Sequence, residues 1–122
     1  MSDVEQLPEG LQERLARLQQ LQSIVQSLSL QRQRIEFELN EAEQALKTLE
    51  GLSSDTKVYK SVGAILVEKP RDEVIKGLKE SKELLELRSK ALEKQENKAR
   101  ERLSSLQQAV QRELSQKQSP SY

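Results

Sequence analysis

The side chains able to do chemistry in this sequence form a short inventory. There is no His and no Cys, which removes the commonest general base near neutral pH, thiolate nucleophiles, disulfides and Cys/His zinc sites. What is left is charge. Glu36, Glu38, Glu41 and Glu43 lie close together and raise the question of cation binding. Their spacing spreads the carboxylates around a helix and supplies no loop-type ligand cage. Arg88, Lys90, Lys94, Lys98, Arg100 and Arg102 raise the question of a nucleic-acid patch. Glu86, Glu93, Glu96 and Glu101 interleave with them, and no aromatic residue is there to stack on bases. Both runs read as solvated helix faces, so neither a metal site nor a nucleic-acid partner is expected. Tyr59 reads as a packing residue with its hydroxyl at an edge rather than as a catalytic acid. No cofactor is implied, and an enzyme is disfavoured throughout.

The elements that carry these residues follow from composition and period. Of 122 residues, 34% are hydrophobic and 33% charged, and the aromatics are only Phe37, Tyr59 and Tyr122. Such a chain fills no large globular core, so an elongated, surface-rich shape is expected. Twenty basic and twenty acidic residues cancel, leaving no global field toward nucleic acid or an anionic membrane. Residues 1–50 nevertheless carry nine acids against five bases, and residues 51–122 eleven against fifteen. The two halves should attract each other. No stretch is apolar enough for a membrane span, and the opening Met1-Ser2-Asp3-Val4-Glu5 is unlike a secretory signal. A soluble cytoplasmic protein is the expectation.

After Pro8 the chain is rich in Leu, Gln, Glu and Arg, with only Gly10 against helix, as far as Glu50. A heptad places Leu11, Leu18, Val25, Arg32, Leu39 and Leu46 at a, and Arg14, Leu21, Leu28, Ile35, Ala42 and Leu49 at d. Ten of these twelve positions are apolar, which is the coiled-coil pattern. Arg14 and Arg32 on this seam should snorkel or fix register. Glu13 with Arg17 and Glu43 with Lys47 are placed for i,i+4 pairs. A helix over about 8–50, roughly 60 Å long, should end at Gly51 in the left-handed conformation.

A second helix is expected over about 70–116, opened by Pro70 at the first helical position, with Asp72 and Glu73 in the first turn. Its strongest series is Leu78, Leu85, Leu92, Ala99 and Leu106. The second seam position holds Ile75, Leu103 and Val110 near the ends but Lys82, Ser89 and Glu96 in the middle. Leu84, Leu87 and Ala91 should widen the stripe locally. Glu86 with Lys90 and Glu96 with Arg100 are spaced as ion pairs. Residues 117–122 read as a disordered tail.

Between the helices, Lys57-Val58-Tyr59-Lys60 and Ala64-Ile65-Leu66-Val67 flank Ser61-Val62-Gly63. A β-hairpin over about 56–68, turning near Gly63, is predicted. Its second strand is apolar on both faces, and a lone two-stranded hairpin is marginal in water. Val58, Tyr59, Ile65, Leu66 and Val67 should therefore form an oligomer interface by adding strands from other chains. So short a connection forces the helices antiparallel. The fold class is mostly α, a long antiparallel coiled-coil helical hairpin with a short β-hairpin at the helix–helix connection, all in one domain spanning 1–122.

This architecture, with the block Val58-Tyr59-Lys60-Ser61-Val62-Gly63-Ala64-Ile65-Leu66-Val67 between the helices, resembles the prefoldin beta subunit of archaea. The stretches Leu11 to Gln31, Glu36 to Leu49 and Leu84 to Gln95 also look like that family, and a single hairpin is similar to its beta rather than alpha type. The resemblance implies a hexamer with prefoldin alpha subunits, two alpha and four beta, whose hairpins build intersubunit β-barrels and whose coiled-coil arms project from them. It further implies a chaperone that uses no nucleotide, holds unfolded client proteins at its arm ends and passes them to a group II chaperonin.

If arm ends capture clients, the contacts should be apolar residues near the termini that the seam does not fully consume. These are Leu7, which precedes the first helix, with Leu11, Leu15 and Leu18 on it, and Leu103, Leu106, Val110 and Leu114 on the second. Capture would draw on roughly 25 cal/mol per Å² of apolar surface removed from water. The competing expectation is a structural coiled-coil scaffold or tether that binds one specific folded partner.

Overall fold

A computed structural model describes residues 7–118, with side chains through Gln116. The elements are α1 (Glu9–Glu50), β1 (Val58–Val62), β2 (Ile65–Lys69) and α2 (Arg71–Gln118), so two long helices enclose a short antiparallel β-hairpin. The second helix runs past the expected end at 116. The first two residues of the expected tail are therefore helical, and the rest lie outside the described residues. The chain forms two compact units, one joining the residues up to Gln31 with those from Leu92 on, the other running from Arg32 to Ala91.

In the terminal unit, Leu11, Leu21 and Val25 of α1 are buried with Ala99 and Val110 of α2, while Leu18, Leu28, Leu92, Leu103 and Leu106 are half-buried. All are seam positions. Arg14, a d residue, reaches Glu113 on the facing helix, Nη2 donating to Oε2 at 2.6 Å. In the central unit Ala42, Leu46 and Leu49 are buried, and Arg32, Ile35 and Leu39 are half-buried. The periodicity of α1 thus marks its inward face at every position, because 3.5-residue spacing keeps one stripe toward a partner helix.

On α2 the polar seam residues lie inward too. Lys82 and Ser89 are half-buried and Glu96 is 3% exposed. Lys82 Nζ lies 3.7 Å from Glu43 and 3.9 Å from Glu86, so Glu43 pairs across to α2 rather than with Lys47, and Glu86 pairs with Lys82 rather than Lys90. Arg100 donates to Glu96 Oε1 through Nη2 at 2.8 Å, the spacing expected. Leu84, Leu87 and Ala91 do not widen the seam. They are exposed, because they fall at c and f positions of the register that Ile75, Lys82 and Ser89 define, and a narrow coiled-coil stripe leaves those positions outside.

Two helix ends differ from expectation. Pro70 stands one residue before α2, where its carbonyl accepts the first helical bond from Val74 N–H at 3.2 Å. Gly51 is not left-handed; among the described residues the only positive φ is at Gly63. The Gly51 N–H simply continues the helix to Lys47 O at 3.2 Å, the Leu52 N–H bonds Leu49 O at 3.2 Å, and the last two carbonyls also receive a side chain. Arg71 Nε donates to Leu49 O at 2.7 Å and Nη2 to Glu50 O at 3.3 Å. A guanidinium at the negative end of a helix dipole supplies donors to the terminal carbonyls, as a left-handed glycine turn would.

Candidate functional site: the hairpin faces and the helix ends

The hairpin is longer than the β-forming runs suggest, since Ser61 and Val62 extend β1. Its register pairs Val58 with Lys69, Tyr59 with Glu68, Lys60 with Val67, Ser61 with Leu66 and Val62 with Ile65. Gly63 and Ala64 form the two-residue loop. Gly63 has φ +58° and Ala64 does not share the left-handed region, the pattern of a II′ turn, whose twist matches that of paired strands.

Because side chains alternate, the register sorts the hairpin into two faces. Val58, Val62, Ile65 and Val67 share one face with Lys60 and Lys69; Tyr59 and Leu66 share the other with Ser61 and Glu68. Of the expected interface residues, Val58 and Val67 are half-buried, while Tyr59, Ile65 and Leu66 are exposed, Leu66 at 71%. Val62, exposed and directly across from Ile65, belongs with them and was missed. The signal was available, since a two-residue turn at Gly63-Ala64 makes Val62 and Ile65 partners. A two-stranded sheet with apolar side chains bare on both faces is unfinished as a folding unit.

The expected capture residues all belong to the terminal unit. Leu11 and Val110 are buried there, and Leu7, Leu15, Leu18, Leu103, Leu106 and Leu114 are half-buried. Leu106 lines a shallow surface groove with Leu21, Ala109, Arg17, Glu101 and Arg102. The half-buried leucines keep apolar edge accessible as they stand, whereas Leu11 and Val110 become available only if the helix ends part. Among the charged groups, Glu36 accepts from Arg32 Nη1 at 2.9 Å and Glu43 faces Lys82. Among the described residues no cluster of carboxylates could hold a metal ion. No described helix is long and apolar enough to cross a membrane. Among the described residues, the most exposed large apolar side chains apart from the hairpin's are Leu30 and Phe37 on α1 and Leu84 and Leu87 on α2.

Two long seam-packed helices with a bare antiparallel hairpin between them define a class of coiled-coil proteins tipped with β structure. The model of the prefoldin subunit family matches residues 12–117. The prefoldin subunit beta of Archaeoglobus fulgidus is 46% identical over 110 residues, 90% of this chain and 95% of that protein, and that of Pyrobaculum islandicum is 43% identical, covering 90% and 88%. The crystal structure of the prefoldin beta subunit from Thermococcus strain KS-1 superposes with a TM-score of 0.80 at 38% identity, covering 93% of this chain and 96% of that one. The beta2 subunit from the same source gives 0.68 at 28% identity, covering 75% and 97%. The chain belongs to the prefoldin subunit family, a family of chaperones and not of enzymes. Its likeness is to the beta type.

Proposed function

We propose that the chain is the beta-type subunit of a hetero-oligomeric cytoplasmic prefoldin, assembled with alpha-type subunits as two alpha and four beta. In this reading the hairpin joins an intersubunit β-barrel. The helix ends of the terminal unit hold non-native proteins without nucleotide, and the complex delivers them to a group II chaperonin. The observation that carries assembly is the hairpin, with Ile65 62% and Leu66 71% exposed on opposite faces; only added strands and a covering layer remove both from water. What supports capture is the set of half-buried leucines in the same unit as buried Leu11 and Val110, an apolar surface without a defined pocket that suits varied partners.

The test mixes the purified chain with an alpha-type prefoldin subunit. Native mass spectrometry should give a hexamer with four copies of this chain, and that hexamer should suppress aggregation of a chemically denatured client in the absence of ATP. Replacing Leu15, Leu103 and Leu106 with Gln, a good helix former, should leave the hexamer mass unchanged and cut protection severalfold, since each leucine contributes on the order of 1 kcal/mol of buried apolar area. Saturable binding to a single folded protein, with no protection of unrelated clients, would instead establish the scaffold.

A further inference from the structure

We propose that Arg71 is a positioning residue that ties the end of α1 to the start of α2 at the neck of the β-hairpin and thereby sets the presentation of its strands for assembly; this last step rests on the assembly reading above. The chain enters the hairpin loosely and leaves it stiffly. On entry, Gly51 to Lys57 is irregular, held by a turn from Thr56 N–H to Ser53 O at 3.1 Å and by contact of the two hydroxyls at 3.1 Å. On exit, β2 ends at Lys69 and passes through Pro70, whose ring fixes φ, straight into α2 at Arg71.

Arg71 spans the gap between the two attachments. Nε and Nη2 bond Leu49 O and Glu50 O at the end of α1, 2.7 and 3.3 Å away, and Nη1 is held by Asp72 Oδ1 at 2.9 Å. Its side chain is only 18% exposed. The fork therefore closes the loop containing the hairpin at its neck. A cation in the first turn of α2 opposes that helix's own dipole, so its placement is explained by the acceptors it meets on α1. Asp72 and Glu73 offset the local cost. Lysine cannot repeat the arrangement, having no planar fork with which to reach two carbonyls and a carboxylate together.

The experiment compares Arg71→Ala and Arg71→Lys with the parent chain by hydrogen exchange, read on the amides of Val58–Lys69 and on those of the helix interiors. Because hydrogen bonds from a charged donor are the stronger kind, Arg71→Ala should speed hairpin exchange about tenfold while leaving helix-interior exchange unchanged. Arg71→Lys should not restore protection. Full restoration by lysine would overturn the strap, since charge alone would then suffice, and so would hairpin exchange unaltered in Arg71→Ala. The second readout is the yield of hexamer with an alpha-type subunit, expected to fall severalfold in both variants. Failure of the parent chain to assemble refutes the assembly reading and with it that last step, while the exchange result still decides the strap; normal assembly by a variant with a loosened hairpin refutes the last step alone.

Discussion

Arg14 and Glu113 illustrate how one polar pair can sit in an apolar seam. Arg14 lies one d position beyond Leu11, and Glu113 three residues beyond Val110, so the pair stands beside the two most deeply buried apolar side chains of the terminal unit. Both side chains keep over a third of their surface in water, 39% and 36%, and the Arg14 Nε is buried without a partner. Solvent screening at that exposure limits such a pair to at most about 1 kcal/mol. A double-mutant cycle with Arg14→Gln and Glu113→Gln, followed by thermal unfolding, should give a coupling of a few tenths of a kcal/mol that fades as salt rises. A coupling of several kcal/mol, insensitive to salt, would mean that the pair is desolvated in solution. The sequence marked Arg14 as a seam residue that should snorkel or fix register, but its partner 99 residues away is a tertiary fact that no local spacing encodes.

The helices show the same division between what a repeat can and cannot say. On α1, where every a and d position lies inward, the inward face was legible because one register runs unbroken. On α2 the expected widening by Leu84, Leu87 and Ala91 rested on their apolar character, but position decided: they stay exposed, while Lys82, Ser89 and Glu96 at the second seam position lie inward, Lys82 and Glu96 within ion pairs. Element ends were the least legible part. Glycine after a helix suggested a left-handed cap at Gly51, whereas the cap comes from Arg71, far along the chain. Gly77 offers a direct test at this scale. It lies inside α2, has ordinary helical φ, and a Cβ there would meet nothing within 4 Å. Gly77→Ala should stabilise the chain by about 0.5–1 kcal/mol through reduced unfolded-state entropy, seen as a higher melting temperature by circular dichroism. A loss of stability would show that this face packs against something in the folded chain or its assembly.

For the molecule as a whole, the two candidate surfaces lie in different units, the hairpin in the central one and the capture leucines in the terminal one, so assembly and capture should separate by mutation. Ile65→Lys with Leu66→Lys charges both hairpin faces and should abolish hexamer formation with an alpha-type subunit while far-ultraviolet circular dichroism keeps its helical signal. The leucine-to-glutamine variant should do the reverse. If capture is weak at each chain and strong only because several chains hold one client, affinity arises from effective concentration rather than from any single contact. Hexamers formed from mixtures of parent and capture-deficient chains should then lose client protection faster than the parent fraction falls. Assembly-deficient chains added to capture-deficient hexamers should restore nothing, although their own leucines are intact. Protection that fell in simple proportion to the parent fraction would mean that each chain binds its client independently. The hairpin would then serve only to gather the arms, without contributing to how tightly a client is held.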